Sequence, residues 1–213
     1  MADRGFRGRP TRTERADRLI NEGHSRGLDV ALANTEASIR NDLTESIYAF
    51  DKNGKLISSN SAGTNHNVAI PKWYNYKDAV FTHNHPGSGL SNNIAGRIGR
   101  SFSGNDLAVA ITHDAAEIRA VTKNYTYSLK RPKNGWGISS SREVLKIANS
   151  IKRRYDGVFN REYSRIMPKL NRGEITREYA NQALDRADVA GINGVLRGVA
   201  KKYGWSYTRK KTS

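Results

Sequence analysis

The chain has 213 residues, a formal net charge of +16 at pH 7, 37% hydrophobic residues and no cysteine. This length predicts one medium domain with extensions or two small domains, with enough apolar residues for a core of about a hundred residues. Without cysteine, disulfide frameworks and thiolate metal sites are excluded, so any metal must bind histidine and carboxylate. No apolar run approaches the roughly 20 residues that cross a bilayer, and the Arg-rich N-terminus lacks the apolar stretch of a signal peptide. We therefore expect a cytoplasmic protein.

The first 18 residues repeat arginine without any apolar periodicity. This pattern predicts a basic arm that ends by residue 27. Lysine and arginine also cluster near the C-terminus. We expect both segments to contact nucleic acid phosphates without base specificity, although such segments are equally often solvated tails. The residues that carry this expectation are Arg4, Arg7, Arg9, Arg12, Arg209, Lys210 and Lys211.

The next segment predicts a helix followed by short strands. Leu28, Ala31, Leu32 and Ile39 recur at helical spacing, which favours a helix over 28–39. Apolar-rich runs predict strands near 45–50, 55–59 and 67–70. Residues 51–54 form a turn signal that makes the first two strands a hairpin.

The segment Ala79–Gly87 contains a pair of histidines at the end of an apolar run. His83 and His85 are two residues apart, and residues i and i+2 of a strand lie on the same face of the sheet. Both imidazoles can therefore bind one ion. Pro86 and Gly87 end the strand.

A carboxylate follows at the start of the next predicted helix. Asp106 precedes the apolar run 107–111, after the Gly-rich, polar and basic surface loop 87–100. Two histidines and one carboxylate leave the fourth position of a tetrahedral ion open. That arrangement is typical of a catalytic zinc rather than a closed structural zinc.

The remaining chain predicts a hairpin and a helical segment. Residues 117–122 and 125–129 alternate on either side of a turn and read as paired strands. Ser140 and Glu143 form a capping-box pattern before a helix that extends to about residue 171. A second helix is expected from about Thr176 to Tyr203, ended by Gly204 and followed by a short strand.

The motif residues resemble the JAMM (MPN+) zinc metalloprotease family. Its pattern is an upstream glutamate, then H-x-H-P, then S-x-x-D, and the matching residues here are His83, His85, Pro86, Ser103 and Asp106. The sequence His83-Asn-His-Pro86 is more similar to the prokaryotic and phage branch, which includes RadC-like, phage-assembly and toxin-associated proteins, than to eukaryotic deubiquitinases.

The resemblance implies an organisation for the whole chain. It predicts an α/β fold, with a JAMM/cytidine-deaminase-like mixed sheet flanked by helices and a C-terminal helical extension. The implied boundaries are a basic arm at 1–27, a metalloprotease core at 28–132 and a helical extension with a basic tail at 133–213.

The same resemblance assigns roles to individual residues. Zinc is held by His83, His85 and Asp106, and Ser103 lies beside the reacting carbonyl. Glu45, on an early strand, is the favoured general base; Glu36 is the rival, but its surroundings look helical. The implied reaction is hydrolysis of an amide or isopeptide bond in a protein or peptide, including a ubiquitin-like conjugate bound as an extended strand.

Two other classes of function remain open at this stage. One is a phage structural or DNA-associated binding module whose metal is only structural. The other is a metal-dependent nuclease, although nucleases named for a His-Asn-His motif spread these residues along a hairpin and helix. The expected setting is the cytoplasm of a bacterial or phage-infected cell, with association to a virion left open and no membrane partner.

Overall fold

The computed structural model describes residues 25–64, 67–86, 101–138 and 140–212. Within these ranges no helix is long and apolar enough to cross a membrane. The chain forms these elements in order: α1 (Arg26–Ile39), β1 (Ile47–Phe50), β2 (Leu56–Asn60), β3 (Val80–Asn84), α2 (Gly104–Thr112), β4 (Glu117–Val121), β5 (Tyr125–Lys130), α3 (Ser141–Asn171), α4 (Arg177–Tyr203) and β6 (Ser206–Lys211).

The strands form one mixed sheet in the order β2-β1-β3-β4-β5-β6. Strands β3 and β4 pair in parallel, and α2 forms the crossover between them, as a parallel pair requires. All other neighbouring strands pair antiparallel. The expected α/β fold with a mixed sheet and flanking helices is therefore confirmed.

Helices cover both faces of this sheet. On one face α1 packs through Leu28 and Leu32 against Phe50 and Val80. On the other face α2, α3 and α4 bury a larger cluster that includes Phe81. All five residues of β3 are buried, because this central strand is covered on both sides.

The C-terminal segment belongs to the same hydrophobic core as the rest of the chain. Ile151, Leu196 and Trp205 share one cluster with Ile118 and Leu129. The boundary expected at 132/133 therefore does not separate two cores. Helix α4 ends as predicted at Gly204, whose φ of 71° is in the left-handed region that favours glycine.

Three local expectations need correction. The predicted basic tail is not a tail, because Arg209, Lys210 and Lys211 lie in β6, which pairs with β5. The strand expected at 67–70 does not form in the residues described there. The first strand begins at Ile47 rather than at Glu45.

A buried ion network lies between α1 and the sheet. Glu36 of α1 accepts hydrogen bonds from Arg119 Nε at 2.5 Å and Nη2 at 3.1 Å. Arg119 also donates to Glu117 at 2.9 Å, and Thr82 Oγ1 donates to Glu36 at 3.3 Å. Burial alone would lower the pKa of Arg119, but these two carboxylates outweigh it and raise that pKa. The largely buried charge of Arg119 is therefore stabilised by both carboxylates, and loss of either one should destabilise the fold.

Removing one partner of this network should destabilise the fold. Glu36→Ala leaves Arg119 with Glu117 alone, and breaking a buried pair costs about 3 kcal/mol at the low end of the measured range. Urea unfolding followed by circular dichroism should show this loss. Lys152→Ala is the control, since Lys152 forms an exposed pair with Asp156 and should change stability by less than about 1 kcal/mol. Equal effects of the two variants would contradict this account.

Candidate metal centre

Three candidate ligands come together from two elements. His83 lies near the end of β3, His85 follows directly after that strand, and Asp106 lies in the first turn of α2. One nitrogen from each histidine and one oxygen of Asp106 all lie within 4.8 Å of one another. Among the residues that the structure describes, this is the one group of three or more such side chains that could hold a metal ion.

The distances within this group suit a small tetrahedral ion. The two Nε2 atoms are 2.9 Å apart, and they lie 3.4 Å and 3.5 Å from the Oδ1 and Oδ2 atoms of Asp106, respectively. Ligands about 2.0 Å from a tetrahedral zinc are about 3.3 Å from one another. Each histidine nitrogen lies close to this distance from its nearer Asp106 oxygen, and one Asp106 oxygen lies within 4.8 Å of a nitrogen of each histidine, so the three side chains could hold one ion.

The centre is near the surface and is chemically prepared for a cation. The side chain of His83 is 2% exposed, whereas those of His85 and Asp106 are 14% and 19% exposed. Burial by itself raises the pKa of the Asp106 carboxyl, but His83 and His85 outweigh it and hold that pKa well below its usual range. Asp106 is therefore an anion at neutral pH.

One feature of His83 differs from well-supported metal ligands. A ligating histidine usually donates its second ring N–H to a carbonyl or carboxylate. In the described part of the chain, His83 Nδ1 is buried without a hydrogen-bond partner. The ring is instead held by packing, with the rings of His85 at 4.6 Å and Phe102 at 6.5 Å.

Ser103 and Asp106 form a capping box at the start of α2. Ser103 Oγ accepts from Asp106 N at 3.2 Å, and Asp106 Oδ2 accepts from Ser103 N at 2.6 Å. The S-x-x-D pattern thus has an ordinary structural role as a helix start signal. The same bonds fix the orientation of the Asp106 carboxylate, so capping and ligation are compatible.

The register at the start of β1 favours a position for Glu45 on the same face of the sheet as the histidines. Ile47 lies opposite His83 in the antiparallel pair, and Asn84 N continues the ladder by donating to Ser46 O at 3.3 Å. Extending this register by two residues brings Glu45 opposite His85, on the same face. Glu45 is not a member of the ligand group.

Asn84, between the two histidines, holds the backbone on both sides of Glu45. Its Oδ1 accepts from Ser46 N at 2.7 Å, and its Nδ2 donates to Thr44 O at 2.9 Å. Asn84 is fully buried on the face opposite the histidines. We did not predict this role, although the alternation of a strand already placed the residue between the histidines on the far face.

Glu36 cannot serve the centre. It lies on α1, as predicted, and it bonds Arg119 and Thr82. Thr82 alternates with His83 along β3, so Glu36 lies on the other face of the sheet. Geometry therefore favours Glu45 over Glu36.

The C-terminal helices support the segment that carries Ser103 and Asp106. Tyr155 Oη of α3 donates to Phe102 O at 3.0 Å. A Cβ atom at Gly104 would lie 2.6 Å from Ala148 O, so α2 and α3 approach too closely for any side chain there. Tyr207 of β6 hydrogen-bonds Ser101 Oγ at 3.1 Å. Burial raises the pKa of Tyr207 to about 12, so it remains a neutral hydroxyl at physiological pH.

Of the basic residues expected to contact nucleic acid, only those near the C-terminus lie among the described residues. Arg4, Arg7, Arg9 and Arg12 lie outside the described residues, as does the loop 87–100. Arg209 lies over the ring of Tyr125, 4.2 Å from its centroid. Arg209, Lys210 and Lys211 are exposed on an edge strand.

Comparisons with known proteins add no relative. No protein-family model matches the chain, and neither curated proteins nor solved structures give a match. The resemblance to the JAMM family therefore rests on the motif residues alone.

Loss of the Asn84 side chain should loosen the first strand. Asn84→Ala leaves Ser46 N and Thr44 O without their partners, and each unmet buried group costs about 1–3 kcal/mol. We expect a loss of about 2 kcal/mol or more in urea unfolding. Asn84→Asp should be no milder, because it buries an ionised carboxylate and places an acceptor oxygen against Thr44 O, which also only accepts. If Asn84→Ala is as stable as the wild type, the two bonds do not hold this segment.

Proposed function

We propose that this chain is a zinc-dependent hydrolase of amide bonds, acting on peptide or isopeptide substrates. The observation that carries the proposal is the His83, His85 and Asp106 group, whose donor distances fit a tetrahedral ion. Three protein ligands leave one position for water or substrate, as catalytic zinc sites do. The motif resemblance narrows the reaction to that of JAMM-type proteases.

The proposed roles follow from position and chemistry. When bound, zinc polarises a carbonyl oxygen and makes water a stronger acid. Glu45 takes a proton from the attacking water and passes it to the departing nitrogen, so that a C–O bond forms as the C–N bond breaks. The Ser103 hydroxyl donates a hydrogen bond to the carbonyl oxygen as negative charge develops there.

Two other classes give different results in one assay. A binding module would hold the metal without cleaving any substrate. A nuclease would cut plasmid DNA in a metal-dependent way. The purified protein, with and without zinc, is therefore incubated with a peptide library, with lysine-linked isopeptides and with plasmid, and new amine groups or nicked DNA are measured.

The first prediction concerns zinc content. Elemental analysis should give about one zinc per chain, and the double variant His83→Ala/His85→Ala should lose it. His113→Ala is the control, because His113 caps α2 and packs on Tyr76 at 5.1 Å, away from the ligand group. Unchanged zinc content in the double variant would overturn the metal assignment.

The second prediction concerns Glu45. Glu45→Gln keeps the shape of the side chain and removes the proton acceptor, so hydrolysis should fall by about 10²–10⁴. Zinc content and unfolding should stay as in the wild type. Glu36→Gln is the control, since Glu36 lies across the sheet; once its folding has been verified, it should retain activity. Near-wild-type hydrolysis by Glu45→Gln would reject this residue as the base.

The third prediction separates the two roles of Ser103. Ser103→Ala removes a helix cap, worth about 1 kcal/mol, and also a donor to the developing oxyanion, worth about 10²–10³ in rate. Ser140→Ala removes an equivalent cap, because Ser140 Oγ accepts from Glu143 N at 3.2 Å. Both variants should lose similar stability, but only Ser103→Ala should lose activity. Equal activities would leave Ser103 with capping alone.

A further inference from the structure

A groove of about 530 Å³ lies between the N-terminal half of α3 and the C-terminal half of α4. Its base is apolar and is formed by Ile147, Ile151 and Val199, which are buried in the main core. The groove is separate from the metal centre, since none of His83, His85 and Asp106 lines it. Its volume falls in the range of ligand sites.

The walls of this groove carry a concentration of positive charge. Arg142, Lys146 and Arg154 line it from α3, and Lys202 lines it from α4, with Glu143 as the one carboxylate in the lining. Within the described part of the chain, none of these four cations has a carboxylate within 4.0 Å. Three other cations of the helical hairpin form ion pairs, Lys152 with Asp156, Arg165 with Glu162 and Arg172 with Glu174.

The placement of these cations is unfavourable for the helix that carries them. Arg142 and Lys146 are four residues apart, and like charges at this spacing destabilise a helix. Arg142 also lies in the first turn of α3, at the positive end of the helix dipole. An anion in the groove would offset both effects.

The spacing of the polar groups suits an extended polyanion. Arg142, Lys146, Ser150 and Arg154 recur every four residues along α3 and all line the groove. Each step advances about 6 Å along the helix, so the row extends for about 18 Å. The ring of Tyr203 also lines the groove; it stacks on Trp205, with centroids 5.0 Å apart, and Lys202 Nζ lies 5.0 Å from its centroid.

We propose that this groove binds the phosphodiester backbone of single-stranded nucleic acid. Arg142, Lys146, Arg154 and Lys202 contact successive phosphates, and Ser150 donates a hydroxyl between them. The regular spacing of the cations along α3 favours a polymer with evenly spaced backbone charges, such as a nucleic acid strand, over an acidic peptide, whose charges are carried by flexible side chains. This site does not depend on the proposed hydrolase activity.

The first test removes charge from the groove. Binding of a labelled 12-nucleotide single strand of mixed sequence to the full chain is measured by fluorescence anisotropy between 50 and 200 mM salt, with EDTA present. The triple variant Arg142→Ala/Lys146→Ala/Arg154→Ala should bind at least about tenfold more weakly, and its salt slope should fall by about 2. Its zinc-dependent peptide cleavage should be unchanged.

A matched triple variant controls for net charge. Lys169→Ala/Arg172→Ala/Arg177→Ala removes three exposed cations from the opposite end of the same helical hairpin. It should change the dissociation constant less than about twofold. Equal weakening by the two triple variants would overturn the assignment of the groove as the binding site, because net charge alone would then explain binding.

The second test blocks the groove without changing charge. Gly198 lines the groove, and a Cβ atom there meets nothing within 4 Å. Gly198→Gln should therefore fold and weaken binding of the strand. Gly194→Gln is the control, since Gly194 is equally open, lies one turn earlier on α4 and does not line the groove. Equal affinity of the two variants would overturn the proposal.

A competition experiment identifies the class of polyanion. Polyglutamate of matched charge should displace the labelled strand poorly, whereas an unlabelled single strand should displace it fully. Polyglutamate that binds as tightly as the strand, and loses this binding in the groove variant, would overturn the assignment to nucleic acid in favour of an acidic protein.

Discussion

The alternation of side chains along β3 is the constraint on which the centre depends. Because the strand is covered on both faces, His83 and Phe81 lie toward α2 and α3, while Thr82 and Asn84 lie toward α1. This strand and the residue after it therefore supply candidate metal ligands on one face, and the strand supplies structural hydrogen bonds on the other. A slip of one residue would exchange these sets. The buried ion network behind the sheet and the core in front of it both oppose such a slip.

The backbone around Glu45 is held through this same alternation. Asn84 bonds Thr44 and Ser46, so the residue between two ligands fixes the segment that carries the proposed base. A carboxylate that transfers a proton must be held at a fixed, short distance from the reacting atoms. The hydrogen bonds on both sides of Glu45 restrict the backbone that carries it. The H-N-H tripeptide thus combines the three functions of ligation, strand pairing and positioning in consecutive residues.

Local sequence patterns predicted most helices and strands and the ligand group. They could not predict contacts between segments that are distant in the sequence. Helical spacing gave α1, α3 and α4, and the two-residue spacing of His83 and His85 gave their common face. The pairing of β6 with β5 was not predicted, because Arg209 and Lys211 read as a charged tail and no local signal shows which edge of a sheet is open. The role of Asn84 depends on pairing between β1 and β3 and was missed for the same reason.

The C-terminal helices are best understood as part of the centre's support rather than as an appendage. Asp106 must meet His83 and His85 from a different element, so its distance from them depends on where α2 begins. Three contacts fix that start. Tyr155 donates a hydrogen bond to the Phe102 carbonyl, and Tyr207 hydrogen-bonds the Ser101 hydroxyl. Gly104 also approaches the backbone of Ala148 closely. These contacts come from α3 and β6. Since α3 also carries the basic row of the groove, one helix contributes to both proposed sites.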